Sequence, residues 1–81
     1  MITKSSKEKI GSFIHAYLYD MKDGGLNTKN EEYFIAKVYQ LEMIKYMNKD
    51  FWDKDLITQN DYLKNVDIIA HLIKSIEDRK K

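Results

Sequence analysis

Apolar side chains recur along this chain at steps of three and four residues, in three blocks separated by two short polar interruptions. No stretch alternates apolar and polar cleanly over several residues, so the pattern predicts helices and no strands. In the first block Ile10, Phe13, Ile14, Tyr17, Leu18 and Met21 fall within an arc of about 140° at 100° per residue, which predicts one buried face. Ser5-Ser6-Lys7-Glu8 has the form of a capping box ahead of that block. Behind it, Asp23-Gly24-Gly25 ends the helix, because glycine takes a left-handed C-cap without a Cβ clash. This first helix is predicted over about residues 6–22.

The third block is equally regular. Thr58-Gln59-Asn60-Asp61 is a start signal, Thr58 capping and Asp61 favouring the positive helix end. Tyr62, Val66, Ile69, Ile73 and Ile76 then form a heptad seam, which Leu63, Ile68, Ala70 and Leu72 widen to an arc of roughly 220°. The helix is predicted over 59–79.

The middle block departs from this simplicity. Thr28 and Glu31 stand at capping-box spacing, and the helix is predicted over 29–50. Its apolar residues do not form one stripe. Phe34, Val38, Leu41 and Trp52 project to one side, and Tyr33, Ala36, Ile44, Met47 and Phe51 to the next. Ile35, Tyr39, Met43 and Tyr46 project nearly opposite. A helix apolar all round is buried all round, and two neighbouring helices cannot cover so much. The sequence therefore predicts an all-α three-helix bundle completed by dimerisation, with Ile35, Tyr39, Met43 and Tyr46 at the partner or dimer interface. Residues 51–57 read either as a frayed extension of the helix carrying Phe51 and Trp52 or as an ordered turn plugging the bundle end.

Length and composition narrow the possibilities further. Eighty-one residues make one domain with a thin core, and such domains lean on disulfides, a metal or a partner. There is no cysteine, which excludes disulfides, thiolate zinc sites and cysteine nucleophiles. No apolar run approaches the roughly 20 residues of a membrane span. The N-terminal Met1 to Lys9 carries no signal core, so a cytoplasmic protein is expected. Fourteen basic and thirteen acidic side chains give a net charge of +1. Signs alternate along the helices, the pattern of a solvated surface.

Candidate chemistry is sparse. His71 follows Asp67 by one turn, but two ligands are too few for a metal site. His15 lies off the apolar face of the first helix and is expected to be exposed. Gly24-Gly25 follows a helix, not a strand, and reads as a helix stop. Glu31-Glu32 reads as the ordinary dipole preference of a first turn. No zinc-protease, di-iron or phosphate-loop motif occurs. The expectation is a protein that is not an enzyme and has no cofactor.

Nucleic-acid binding is the alternative. Gln59 and Asn60 at the start of the third helix could read base edges, with Lys64 and Asn65 one turn on. Tyr39 and Tyr46 interleave with Lys37, Lys45 and Lys49 as a stacking face would. Arg79, Lys80 and Lys81 close the chain with a basic end. The candidates are Lys45, Asn60, Lys64, Arg79, Lys80 and Lys81. Asp53, Asp55, Asp61 and Asp67 oppose phosphate contacts, which ranks this reading second.

Leu41-Glu42-Met43-Ile44, followed by Asp55-Leu56-Ile57-Thr58-Gln59-Asn60-Asp61-Tyr62, resembles the SHOCT-type short helical hairpins of bacterial and mobile-element proteins. Their turn glycine is replaced here by Asp55. The resemblance covers about half the chain and implies a small interaction or oligomerisation element without catalysis. Thirteen lysines to one arginine, with ten isoleucines, fit AT-rich coding. The expected function is a regulatory or accessory factor (inhibitor, immunity or antitoxin type) of a phage or other mobile element in a low-GC bacterium, acting on an unidentified protein.

Overall fold

In the computed structural model, which describes residues 2–26 and 28–79, three helices pack up-down-up into a bundle 44 × 17 × 17 Å in extent. They are α1 (Lys4–Asp20), α2 (Glu31–Asp53) and α3 (Gln59–Arg79). The fold is all-α, as the periodicity predicts.

The ends of the helices show which local signals win. Ser5 and Ser6 do not cap α1. Thr3 does, in an extended conformation, with the Ser6 amide donating to its Oγ1 at 3.1 Å. A hydroxyl can accept from the amide three residues on only if its own residue is outside the helix, and Thr3 is the last residue placed that way. Asn30, not Thr28, caps α2: the Tyr33 amide donates to Asn30 Oδ1 at 2.9 Å, and Thr28 Oγ1 accepts from the Asn30 amide at 3.1 Å. Thr58 caps α3 as predicted, accepting from the Asp61 amide at 3.1 Å.

Between α1 and α2 the chain widens into a π-type turn over Met21–Gly25, where Gly24 takes φ 154°. The glycine stop is thus realised one turn beyond α1, and Leu26 is buried behind it. Between α2 and α3 the extension carrying Phe51 and Trp52 is regular helix, not frayed, and an ordered turn follows it. The helix continues through Phe51, Trp52 and Asp53, then closes in a Schellman motif: the Leu56 amide donates to the Phe51 carbonyl at 2.8 Å and the Asp55 amide to the Trp52 carbonyl at 3.0 Å. Asp55 occupies the left-handed position (φ 58°) that glycine usually fills. Ile57 then drops fully into the core, and Trp52 stacks on Tyr62 with ring centroids 5.1 Å apart.

The core comprises Ile14 and Leu18 of α1, Phe34, Leu41 and Ile44 of α2, and Ile69, Leu72 and Ile76 of α3, among others. Two helices present faces other than their apolar arcs. On α1, Phe13 and Tyr17 are 70% and 52% exposed, while Gly11 is buried and His15 nearly so. The buried face is rotated by about 60° from the centre of the apolar arc. Asp61 explains this, because it lies against Gly11 and places Oδ1 3.1 Å from His15 Nε2. A Cβ on Gly11 would stand 2.5 Å from Asp61 Oδ2, so only glycine lets α1 and α3 approach this closely. His15 is therefore not exposed, contrary to its position off the apolar arc.

On α3 the buried face turns toward Asn65, which is 0% exposed, leaving Val66 and Leu63 exposed. Asn65 Nδ2 donates to Asn48 Oδ1 at 2.8 Å, and Asn48, also buried, reaches the Tyr62 carbonyl at 3.4 Å. Asn65 is thus part of the interior and has no access to a nucleic acid.

Candidate interaction surface

The core-facing residues of α2, Phe34, Leu41, Ile44 and Asn48, cluster on one side of the helix. Ile35, Tyr39, Met43 and Tyr46 project about 180° away from that side. They are 46%, 69%, 67% and 73% exposed. The single chain leaves uncovered all four residues that the sequence marks for an interface, and they run along about 16 Å of helix. A contiguous apolar strip rimmed by charges is the usual look of a binding surface.

The strip has two flanks. On the α3 side, Tyr46 borders a cleft of about 200 Å³ with Tyr62, Val66 and Ile69, whose rim is Lys45 and Lys49. Glu31, Glu42 and Lys49 lie along this flank of α2, as the 100° step places them. On the α1 side, Phe13, Ala16 and Tyr17 line a second groove with Asp20, Lys37 and Gln40. The Lys37 ammonium sits 5.2 Å from the Tyr33 ring centroid and 3.4 Å from Asp20 Oδ2. Desolvation works to lower its pKa, and Tyr33 and Asp20 more than offset that, so it titrates above its ordinary 10.5. These α1 aromatics had no separate signal in the sequence, since they belong to the same arc as buried Ile14 and Leu18.

The nucleic-acid candidates are dispersed. Asn60 and Lys64 share a cleft with Lys4, but Glu8 and Asp61 line it too. Lys45 is on α2, beside Tyr46. Arg79 is committed to the fold: its guanidinium lies 3.8 Å from the Phe34 ring centroid, donates to the Leu26 carbonyl at 3.1 Å and stands 3.7 Å from Glu31. It ties the end of α3 to the start of α2 and is not a free phosphate contact. Lys80 and Lys81 lie outside the described residues.

His71 and Asp67 are exposed and 3.9 Å apart, and no group of three or more potential ligands forms among the described residues. No helix among them is long and apolar enough to cross a membrane. Comparison with known protein families, curated proteins and solved structures finds no match to this chain.

Proposed function

We propose that this is a non-catalytic, cytoplasmic helical protein that acts by protein–protein interaction, using the outward face of α2 as its working surface and forming a homodimer there. The observation that carries the reading is the exposure of Ile35, Tyr39, Met43 and Tyr46 on the side of α2 turned away from the core. The groove holding Phe13 and Tyr17 supplies a second apolar surface for a different protein. Small size, the hairpin resemblance of the C-terminal half and the lysine- and isoleucine-rich composition support a regulatory or accessory factor of the inhibitor, immunity or antitoxin type, from a phage or other mobile element.

Sedimentation equilibrium at micromolar concentration tests the core of this reading. The expected mass is twice the 9.7 kDa of the chain, and Tyr39→Glu or Met43→Glu is expected to return the monomer. A wild-type monomer under these conditions refutes it. The nucleic-acid alternative is separated by fluorescence anisotropy with labelled oligonucleotides. We expect affinity no better than about 10⁻⁴ M at physiological salt. Submicromolar binding with a steep salt slope, lost on Lys45→Ala or Lys64→Ala, would put nucleic acid in place of protein as the partner.

A further inference from the structure

Resting on the reading of the α2 face as a self-association surface, we propose that Met43 is a redox-sensitive modification site, where oxidation of the thioether by a peroxide switches the association off. The chain has four methionines and no cysteine, so thioethers are its only sulfur. The bundle treats them unequally. Met21 is sealed in the core at 2% exposure, and Met47 is 39% exposed. The 100° step places Met47 on the α1 flank of α2. Met43 is 67% exposed and stands in the apolar strip itself. Met1 lies outside the described residues. A peroxide must reach the sulfur to oxidise it, so exposure ranks Met43 first and Met21 last among the described three. The methionine most open to an oxidant is thus the one that the working surface uses.

Position decides the consequence. Met43 follows Tyr39 by four residues and precedes Tyr46 by three, so the three side chains are neighbours on one stripe of the helix. An unbranched, polarisable thioether packs well against aromatic rings and adapts to an irregular facing surface. In the oxidation, sulfur gives a lone pair to one peroxide oxygen and the O–O bond breaks. The departing hydroxide takes the proton from the new S–OH group and leaves as water. Sulfur loses two electrons and the peroxide gains them. The sulfoxide is polar, and its oxygen only accepts hydrogen bonds. Within the strip Ile35 offers no donor, and the two tyrosines offer only the hydroxyls at the far ends of their rings. A two-fold interface repeats each residue, so it would bury two such oxygens. Dimer affinity should fall at least about tenfold. Dithiol-dependent sulfoxide reductases reverse the change, removing the oxygen as water while two thiols close to a disulfide. Association also shields its own sulfur, because only the separated chain presents Met43 to solvent.

The test treats the wild-type chain and Met43→Leu with hydrogen peroxide, mapping each methionine by peptide mass spectrometry and measuring dimer affinity by sedimentation equilibrium before and after. The expected order of sulfoxide formation is Met43, then Met47, with Met21 unreacted. Wild-type affinity should fall at least about tenfold and return on treatment with both epimer-specific sulfoxide reductases and dithiothreitol. Met43→Leu, close in volume to the thioether, should remain a dimer through the same treatment. Met43→Gln is polar without any oxidant and should show the weakening outright. A wild-type dimer that keeps its affinity with Met43 fully converted overturns the switch. Oxidation of Met21 or Met47 ahead of Met43 overturns the selectivity, and loss of the dimer in peroxide-treated Met43→Leu assigns the effect to another residue and refutes the proposal. A wild-type monomer before any peroxide is added overturns instead the self-association on which it rests.

Discussion

Two surfaces of one helix depart in different ways from the usual division of apolar inside and polar outside. The inner face of α2 buries Asn48, hydrogen-bonded to the equally buried Asn65 of α3 at 2.8 Å. Two residues earlier and on the outer face, Tyr46 is 73% exposed, in line with Met43, Tyr39 and Ile35. The inner face thus sets one amide among Phe34, Leu41 and Ile44, while the outer face shows hydrocarbon to solvent. Each of these two departures weakens the isolated chain. A buried amide pair recovers little beyond its desolvation cost, and Asn65 Oδ1 has no hydrogen-bond partner among the described residues. Apolar surface left in water forgoes about 25 cal/mol for each Å² that burial would have contributed. What the inner pair supplies is register, because the two amides meet at one longitudinal offset of α2 against α3 and at no other. What the outer strip supplies is a surface with free energy still to gain on association. Core packing and the amide pair therefore share the inner face, and the apolar surface left in water lies on the outer one.

The sharpest way to break this contrast is to truncate one residue on each face. Leu41→Ala removes a fully buried side chain and should cost about 3 kcal/mol. Met43→Ala, two residues on, should cost no more than about 0.5 kcal/mol. Urea denaturation of both in a Tyr39→Glu background, where the proposed self-association would be removed, compares them as monomers. Equal costs would mean that the outer strip is part of the fold.

The amide pair is next. Asn48→Leu alone leaves Asn65 buried without its partner and should cost about 2 kcal/mol. Adding Asn65→Leu should recover at least about 1 kcal/mol of that loss. If the pair sets register, the double variant keeps its far-ultraviolet helicity while its amide NMR spectrum loses dispersion. Retention of a sharp, native-like spectrum would remove the register argument.

Gly11→Ala sharpens the account of why α1 turns Phe13 and Tyr17 outward. Alanine should gain about 1 kcal/mol of helix propensity, but its Cβ would meet Asp61 at 2.5 Å and force the helices apart. A net loss of about 1–2 kcal/mol is expected, with broadening of the His15 ring resonances as its contact with Asp61 loosens. A more stable Gly11→Ala protein would show that the close approach of α1 and α3 is dispensable.

The smallest effect belongs to the turn. Asp55→Gly relieves a left-handed conformation that side chains resist and should raise stability by about 0.5–1 kcal/mol. The lost ion pair with Lys7, 2.9 Å long and exposed on the Asp55 side, subtracts little from that. A fall in the midpoint of thermal unfolding would mean that the Lys7 contact outweighs the backbone strain.

Much of this architecture is legible in the chain itself. Periodicity alone yields three helices and no strand, and the glycine stop near Gly24 and the Thr58 cap follow from local chemistry that needs no neighbour. The exposed strip of α2 is legible for a related reason: one helix carries more apolar arc than two neighbours can cover, whatever their orientation. What only the tertiary structure decides is which part of each remaining arc goes inside. Phe13, Tyr17, Leu63 and Val66 have the hydropathy of core residues and stay outside, while Gly11, His15, Asn48, Asp61 and Asn65 go in. A per-helix pattern ranks side chains by their own transfer free energy. It cannot register that His15 is matched by Asp61, 46 positions away, or Asn48 by Asn65, 17 positions away. Such pairs acquire their favourable terms only when two helices meet, and the need to bring them together turns the faces of α1 and α3 away from their most apolar sides.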